Sequence, residues 1–563
     1  MTFSVSVAQL NFVVGDMAGN ARRIVDAARA AHERGVNLLL TPELAICGYA
    51  AEDLYLRPAF IDACDDALKT VVAETANLKG LHIVVGHPAR AGAGAGARAR
   101  SVSVPALHNA ATVLAEGRVV AHYAKRELPN YQVFDERRYF APGHAPCVFA
   151  VPDAQGQPVQ VGLLICEDAW FDAPAAESRA AGAEVLAVIN ASPFHAGKGG
   201  ERETTMRDRA RTTGLPLVYA HLVGGQDEIV FEGRSFVLDA RGELAGRAVS
   251  FHEAAFDMAF HRTGAGWRIE ADTDRPHSAD ADLWHALVLG VRDYLGKNGF
   301  PGAILGLSGG IDSALVLAIA VDALGKDRVR AVMMPSPYTA DISWIDARDM
   351  AARLGVRYDE IAIAPEFEAF KTSLDPLFEG RPEDTTEENL QARIRGTMLM
   401  ALSNKFGSIV LTTGNKSEMA TGYCTLYGDM AGGFAVIKDV AKTAVFRLAR
   451  WRNAHDPYGT GSNPIPDRII TRPPSAELRP DQKDQDSLPE YAVLDAIIER
   501  YMENDQSPDS IVAEGYDRAD VDKVVRLIRI NEYKRRQAPV GIRVTHRSFG
   551  KDWRYPITSK YRA

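Results

Sequence analysis

The stretch GLSGGIDSALVLAIA, residues 306–320, joins a short apolar strand to an almost wholly apolar helix through two glycines. Backbone N–H groups at such a turn bind anions, and glycine lets the backbone approach the anion closely. Ser308 and Ser313 add hydroxyl groups, and Asp312 adds a carboxylate suited to Mg²⁺. The turn lacks the lysine of a Walker loop, and no GxxxxGK[ST] occurs in the chain. A simple helix N-cap is the alternative, but a cap needs fewer polar groups, so we predict a pyrophosphate-binding loop.

A second set of reactive residue types lies in the first 260 residues. Glu43 (in TPELAICGYA) and Cys166 (in GLLICEDAWF) each follow an apolar strand, and Lys125 follows a predicted hairpin strand. A thiolate attacks a side-chain amide to form a thioester, a carboxylate transfers the protons, and an ammonium stabilises the oxyanion. Taken singly, the cysteine is more often a core residue and the other two are more often surface residues. Together, at converging strand ends, they predict one amide-cleaving site that releases ammonia.

The elements around these residues indicate an α/β protein. Before residue 260 strands dominate, several separated by helical patterns, and turns at 116–117 and 241–242 predict two hairpins. Later, apolar strands alternate with helices, which predicts a doubly wound parallel sheet with ligands at the carboxyl ends of its strands. Residues 89–101 (ARAGAGAGARARS) predict a surface loop. The predicted domains are a mixed α/β sandwich at 1–260, a linker at 261–280, and the parallel-sheet domain at 281–563.

The composition limits the class of protein. The 563 residues are 46% hydrophobic and 24% charged with a net charge of −9, which is typical of a soluble globular protein of several domains. The negative charge argues against nucleic acid as the main partner. No apolar run reaches ~18 residues, so we predict no membrane span, and the N-terminus has no signal-peptide pattern. Five scattered cysteines without a CxxC pair indicate a reduced, cytoplasmic setting.

The loop sequence SGGIDS resembles the pyrophosphatase-type loop of ATP-dependent amidating enzymes. Four later stretches resemble the NAD synthetases of that group: ENLQARIRG (388–396), LTTGNKSEMATGYCTLYGDMAGGFAVIKDV (411–440), RPPSAELRPDQKDQDSLP (472–489) and NEYKRRQAPVGIRV (531–544). The resemblance implies that ATP adenylates the carboxylate of deamido-NAD, that pyrophosphate leaves, and that ammonia then displaces AMP. It implies ATP contacts at Gly306, Leu307, Ser308, Gly309, Gly310, Ile311, Asp312, Ser313 and Thr413, deamido-NAD contacts at Asn389, Glu418 and Lys534, and Mg²⁺ ligands at Asp312 and Glu418.

Glu43, Lys125 and Cys166, in this order, resemble the Glu-Lys-Cys triad of the nitrilase family. The stretches NASPFHAGK (190–198) and VGGQDEIVFEGRSFVLD (223–239) resemble the glutaminase domain fused to NAD synthetases. This resemblance implies a nitrilase-like α-β-β-α sandwich, with glutamine contacts at Tyr131, Ser192 and Lys198. Two positions depart from the family pattern: Ala50 stands where proline usually follows GY, and His221 stands where asparagine is common before LVGGQD.

Taken together, the resemblances cover essentially the full length and imply a member of the glutamine-dependent NAD synthetases. The first domain would hydrolyse glutamine, and the second, an ATP-pyrophosphatase-type domain, would use ATP, Mg²⁺ and the released ammonia to amidate deamido-NAD. One alternative is an amidotransferase for a different carboxylate, against which the 411–440 stretch argues. Another is a non-catalytic nitrilase-like scaffold that serves a partner synthetase, against which the complete triad argues. The expected partners are deamido-NAD, ATP, glutamine and further copies of this chain, with no nucleic acid or membrane.

Overall fold

The computed structural model describes residues 2–91, 107–264, 266–474, 477–479, 486 and 488–561. The chain divides into two units, Met1–Gln226 with Val230–Pro276 and Asp227–Ile229 with His277–Ala563. Most of the surface loop predicted at 89–101 and part of the 472–489 stretch lie outside the described residues. Within the described ranges, no helix combines the length and apolar character needed to cross a membrane.

The first unit is an α-β-β-α sandwich, as predicted. Its strands are β1 (Thr2–Gln9), β2 (Leu38–Leu40), β3 (His82–Arg90), β4 (Leu107–Ala115), β5 (Arg118–Ala124), β6 (Cys147–Pro152), β7 (Pro158–Ile165), β8 (Val185–Asn190), β9 (Leu217–His221), β10 (Val223–Gln226), β11 (Ile229–Glu232), β12 (Phe236–Leu238), β13 (Leu244–Arg247), β14 (Ala254–Thr263) and β15 (Gly266–Ala271). Its helices are α1 (Met17–Glu33), α2 (Pro58–Glu74), α3 (Asp172–Ala180) and α4 (Lys198–Thr213). One sheet has the order β15-β14-β1-β2-β3-β4-β5 and the other β13-β12-β9-β8-β7-β6.

Alternating side chains build the two cores of this unit. Leu163 and Ile165 of β7 pack with Val5 and Val7 of β1 in the core between the sheets. Leu164 points the other way, into the core that helices α3 and α4 cover. Successive side chains of a strand point to opposite faces of the sheet. Because residues 163–165 of β7 are all apolar, this part of the strand is buried on both faces. Its end at Ile165 therefore delivers Cys166 to a buried position.

The hairpins predicted in the first unit are present, but the predicted linker is too long. β4 pairs with β5 around Glu116-Gly117, and β12 pairs with β13 around residues 241–242. Residues 261–263 and 266–271, predicted to begin the linker, instead belong to the antiparallel pair β14–β15. Trp267, Ile269 and Ala271 alternate with polar residues and pack on the core between the sheets. A strand with one exposed polar face resembles a polar linker in composition, which explains the error.

The second unit contains the predicted parallel sheet. Its strands are β16 (Ala303–Gly306), β17 (Val329–Met333), β18 (Arg357–Glu360), β19 (Ile409–Thr412) and β20 (Phe434–Ala435). Its helices are α5 (Ala279–Asn298), α6 (Ile311–Leu324), α7 (Asp341–Leu354), α8 (Ala364–Phe378), α9 (Thr385–Phe406), α10 (Lys416–Thr421), α11 (Lys442–Ala454), α12 (Asp467–Thr471), α13 (Tyr491–Ile498), α14 (Pro508–Ala513), α15 (Arg518–Ile530) and α16 (Glu532–Arg535). The order is β18-β17-β16-β19-β20 with parallel pairing throughout. The order reverses at β16, and in such sheets ligands bind beyond the carboxyl ends at this switch point.

Candidate functional site

The first unit brings Glu43, Lys125 and Cys166 together, as predicted. The Nζ of Lys125 donates a hydrogen bond to Oε1 of Glu43 at 2.7 Å, and both side chains are buried. Cys166 directly follows β7 and begins a short helical turn with φ of +46°. A left-handed conformation costs a residue other than glycine about 1–3 kcal/mol, so the packing around Cys166 must hold it there. Cys166 is buried in the core between the sheets, and its positive φ distinguishes it from a cysteine inside a regular strand.

Glu136 and Asn109 complete this cluster, and sequence reasoning missed both. Lys125 Nζ donates a second hydrogen bond to Glu136 Oε1 at 2.8 Å. Asn109 donates to Glu43 Oε1 at 2.7 Å, and the backbone N–H of Ala191 donates to Glu43 Oε2 at 3.0 Å. These bonds fix the Glu43 carboxylate and the Lys125 ammonium in one geometry. Glu136 lies only eleven residues after Lys125, but nothing local distinguishes it from its charged neighbours.

Burial and the two carboxylates determine the electrostatics of the cluster. Burial opposes the charged form of Lys125, but the carboxylates of Glu136 and Glu43 outweigh it and raise the pKa of the Lys125 ammonium. Burial and the Glu43 carboxylate raise the pKa of the Cys166 thiol, which Lys125 opposes. Burial raises the pKa of Glu136 to about 7. Cys166 is therefore a thiol at rest, and a base must take its proton before it can act as a nucleophile.

Asp168 connects the cysteine turn to the lysine segment, and sequence reasoning missed it too. Its Oδ1 accepts the backbone N–H groups of Arg126 at 2.9 Å and of Glu127 at 2.8 Å. Its Oδ2 accepts the hydroxyl of Tyr123 at 2.8 Å and the N–H of Ile165 at 3.0 Å. The side chain is fully buried. One carboxylate thus holds the residues flanking Lys125 against the residue that precedes Cys166.

The predicted glutamine contacts surround the same turn. The Tyr131 hydroxyl donates to Oε1 of Glu167, the residue after Cys166, at 3.0 Å, and half of the Tyr131 side chain is exposed. The Lys198 ammonium lies 4.3 Å from the centroid of the Trp170 ring, and burial lowers its pKa. Ser192 follows Ala191, whose N–H holds Glu43. Tyr131 and Lys198 therefore contact the turn that begins at Cys166, and Ser192 lies next to the residue that holds Glu43.

The departure at His221 has a structural consequence. Its Nδ1 lies 2.7 Å from the carbonyl oxygen of Gly233, so Nδ1 is the protonated nitrogen of the neutral ring. Its Nε2 faces the Ser192 backbone, 3.2 Å from the nitrogen and 3.0 Å from the carbonyl oxygen, and in this tautomer it accepts from the N–H. Burial, assisted by the charge of Arg202, lowers the pKa of His221 to about 4. The neutral ring therefore fixes the backbone of Ser192 at physiological pH.

In the second unit, the predicted loop forms the turn between β16 and α6. The Ser308 N–H donates to Ser313 Oγ at 3.2 Å, and the Gly310 N–H donates to Ser308 Oγ at 3.2 Å. Gly309 has φ of +79°, and a Cβ atom there would lie 2.4 Å from the backbone oxygen of Ser343. Only glycine fits that position, because both the backbone conformation and the space exclude a side chain. Ile311 begins α6, and Gly310 is its N-cap.

A cavity of about 290 Å³ opens beside this loop at the carboxyl ends of β16, β17 and β19. It is lined by most of the predicted ATP contacts, namely Gly306, Leu307, Ser308, Gly310, Ile311, Asp312, Ser313 and Thr413, and by Glu418. Gly309 is absent from the lining, because it packs against Ser343. The position at the sheet switch point agrees with the predicted location of a ligand site.

Asp312, Glu418 and Lys442 form a charged cluster in the cavity wall. Asp312 forms an ion pair with Lys442 and accepts a hydrogen bond from Asn415 at 2.8 Å. Lys442 Nζ lies 3.6 Å from Glu418 Oε1. Burial and the Asp312 carboxylate raise the pKa of Glu418 to about 8. Sequence reasoning missed Lys442, which begins α11 after a stretch that carries no local signal for it.

The remaining predicted contacts, Asn389 and Lys534, converge on residues 422–425. The Thr425 hydroxyl donates to Asn389 Oδ1 at 2.8 Å, and Lys534 Nζ donates to the carbonyl oxygens of Gly422 and Cys424, each at 2.7 Å. Thr425 itself lines the cavity. Asn389 and Lys534 therefore hold a segment of the cavity wall, and neither belongs to the cavity lining.

Both halves of the chain match known families. Residues 4–259 match the carbon-nitrogen hydrolase model, and residues 283–538 match the NAD synthase model. The glutamine-dependent NAD(+) synthetase of Xanthomonas campestris pv. campestris is 49% identical over 570 residues, covering 100% of this chain and 98% of the relative. That of Thermotoga maritima is 42% identical, covering 99% of each chain.

Two solved structures show the same architecture. The structure of glutamine-dependent NAD+ synthetase from Acinetobacter baumannii in complex with adenosine diphosphate has a TM-score of 0.77 at 42% identity, covering 99% of this chain and 98% of that chain. A glutamine-dependent NAD(+) synthetase from Cytophaga hutchinsonii has a TM-score of 0.79 at 22% identity, covering 100% and 98%. The second comparison supports the fold alone.

Proposed function

Because the chain belongs to the glutamine-dependent NAD(+) synthetases, we propose that it amidates deamido-NAD to NAD with ammonia taken from glutamine, at the expense of ATP. The first unit would act as the glutaminase and the second as the synthetase. The observation that carries the proposal is the presence, in one chain, of a buried Glu43–Lys125–Cys166 cluster and of a glycine loop that opens on a cavity of about 290 Å³. Each matches the chemistry expected of the family to which its unit belongs.

In the glutaminase reaction, Glu43 takes the proton of the Cys166 thiol, and the thiolate attacks the side-chain amide carbon of glutamine. The Lys125 ammonium, held by Glu43 and Glu136, stabilises the negative oxygen of the tetrahedral adduct. Glu43 returns the proton to the departing nitrogen, and ammonia leaves with formation of a thioester. Glu43 then takes a proton from water, the hydroxide cleaves the thioester, glutamate leaves, and Glu43 returns the proton to the Cys166 thiolate. Tyr131, Ser192 and Lys198 are the proposed contacts of the glutamine substrate.

In the synthetase reaction, the carboxylate of deamido-NAD attacks the α-phosphorus of ATP, and pyrophosphate leaves. The Ser308–Ser313 turn binds the departing pyrophosphate through backbone N–H and hydroxyl groups. Ammonia then attacks the acyl carbon of the adenylate, the nitrogen loses a proton, and AMP leaves. Thr413 completes the proposed ATP site. Asn389, Glu418 and Lys534 are the proposed deamido-NAD contacts. Asn389 and Lys534 would act by holding residues 422–425, a segment of the cavity wall.

The carboxylates of Asp312 and Glu418 fit a Mg²⁺ ion in this cavity. Mg²⁺ prefers oxygen ligands and is commonly held by one or two carboxylates together with substrate phosphates. Burial and the Asp312 carboxylate raise the pKa of Glu418 to about 8, and a bound cation would lower this pKa and favour the ionised form. In the described ranges no group of three or more His, Cys, Asp or Glu side chains is arranged to hold a metal, so the remaining ligands would come from the nucleotide and water. The ion would neutralise charge on the phosphates.

Steady-state assays of the full-length protein test the proposed function. With deamido-NAD, ATP and Mg²⁺, we expect NAD from either glutamine or ammonium, with stoichiometric AMP and pyrophosphate by chromatography. Aspartate and nicotinate in place of deamido-NAD serve as controls and should not be amidated. Absence of NAD would contradict the function, and ADP in place of AMP would contradict adenylation.

We further propose that the protein is cytoplasmic and forms a homo-oligomer. The cysteine usage of the sequence supports the reduced setting. Sedimentation analysis at micromolar concentration tests the oligomer, and a monomer under all conditions would refute it.

A further inference from the structure

Arg395 lies on α9 at the edge of the synthetase cavity and belongs to none of the predicted sets. Its Nε donates a hydrogen bond to the backbone oxygen of Met334, just beyond β17, at 2.9 Å. Gly396, the next residue, brings α9 close to the 427–428 backbone, because a Cβ atom there would lie 2.8 Å from the Gly428 oxygen. Both Arg395 and Gly396 line the cavity. The bond through Nε fixes the plane of the guanidinium and leaves Nη1 and Nη2 for another partner.

The other cations of the cavity lining already have carboxylate partners. Lys442 pairs with Asp312, and Arg472 lies 3.7 Å from Glu477. Among the residues that the structure describes, Arg395 makes no ion pair, and its only hydrogen bond is the one to Met334. Burial lowers the pKa of Arg395 to about 10, and the charge of Glu477 opposes this shift. A partly buried guanidinium without an ion-pair partner is costly, and an anionic ligand would offset that cost.

The charges of the residues that line the synthetase cavity indicate which ligand would supply the anionic partner of Arg395. The cavity wall also carries the acidic side chains of Asp312, Glu418, Asp429 and Glu477, so a polyanionic ligand needs a cationic partner there. Arginine donates two parallel N–H groups that match the oxygens of a phosphate. Building on the proposed function, we propose that Arg395 is a nucleotide-binding residue whose Nη1 and Nη2 donate hydrogen bonds to a phosphate group of ATP.

Calorimetric titration of ATP with constant Mg²⁺ into the full-length protein tests this role. Arg395→Gln removes the charge and should weaken ATP binding about tenfold or more, the range for charge-assisted hydrogen bonds. Arg395→Lys keeps a charge but not the fork and should give an intermediate loss. Lys405→Gln, which removes an exposed charge from the last turn of the same helix, is the matched control and should bind ATP as the unchanged protein does. Adenosine, measured as a competitor of ATP, should bind all four proteins equally.

Two results would overturn the proposal. Unchanged ATP affinity in Arg395→Gln excludes a contact, and an equal loss of ATP and adenosine affinity moves the contact from the phosphates to the base or sugar. If Arg395→Gln does not fold, Arg395→Lys decides by the same comparison. A failure of the unchanged protein to bind ATP at all would instead refute the proposed function, so the two failures are distinguishable.

Discussion

Asp168 Oδ1 accepts the backbone N–H of Glu127 at 2.8 Å, which joins the turn that begins at Cys166 to the segment that carries Lys125. The same carboxylate accepts the N–H of Ile165 through its other oxygen. Lys125 directly follows β5 of one sheet, and Cys166 directly follows β7 of the other. The backbone that flanks each residue therefore determines where its side chain lies. Asp168 therefore sets the position of one group relative to the other without lying between them.

Asp168→Asn should lower glutamine-dependent kcat by about tenfold or more. The amide keeps one acceptor oxygen, but its NH₂ group then faces the N–H of Ile165, where a charge-assisted bond of about 1.5–3 kcal/mol is lost. The KM for glutamine and the ammonia-dependent rate should change little. Asp208→Asn, on the exposed side of α4, is the control. An equal loss of ammonia-dependent activity would indicate general unfolding in place of a positioning role.

Cys166→Ala should abolish NAD synthesis from glutamine and leave synthesis from ammonium near its original rate. The thiol is the only nucleophile proposed for the amide, whereas the ATP site lies in the other unit. Cys147→Ala, which alters a buried cysteine of β6, should retain both activities. Equal retention in Cys166→Ala would show that another group attacks glutamine, and loss of both activities in a folded variant would contradict two separable sites.

Asp312→Asn should slow AMP formation about tenfold or more with either nitrogen donor and raise the Mg²⁺ concentration needed for half-maximal rate. The change removes the negative charge of a carboxylate that is proposed to bind Mg²⁺. It also removes the ion pair between Asp312 and Lys442. Asp327→Asn, an exposed residue after α6, serves as the control. A normal rate with unchanged Mg²⁺ dependence would withdraw Asp312 from the metal site.

Glu418→Gln should flatten the pH dependence of stability in the metal-free protein. The folded state raises the pKa of Glu418 from 4.5 to about 8, so it holds a proton that the unfolded chain has released. The free energy of unfolding contributed by this group therefore falls as pH rises between about 4.5 and 8. Calorimetry from pH 5 to 8 with a chelator present should show a smaller loss in the variant than in the unchanged protein. Glu490→Gln, an exposed control, should behave as the unchanged protein; parallel losses in both variants would contradict the raised pKa.

The amino-acid sequence alone determined the elements and the motifs within them. Alternating and continuous apolar runs predicted many strands of both units, β1, β7, β16 and β19 among them, and Glu116-Gly117 predicted the β4–β5 turn, because these depend on local backbone geometry. The SGGIDS loop was recognisable for the same reason: strand, glycines and helix are contiguous, and Gly309 is required by its own conformation and by the close approach of Ser343. The β14–β15 pair was missed because its exposed polar face hid the alternation of Trp267 and Ile269.

Only the tertiary structure decided which charges face one another. Glu136, Asp168, Lys442 and Arg395 are ordinary charged residues in the sequence, and no spacing distinguishes them from solvated ones. Their roles follow from burial beside residues remote in the chain: Lys442 meets Asp312 across 130 positions, and Asp168 meets Arg126 across 42. The energy of a charge depends on the dielectric and the partners around it, and both are properties of the folded chain that no local pattern encodes.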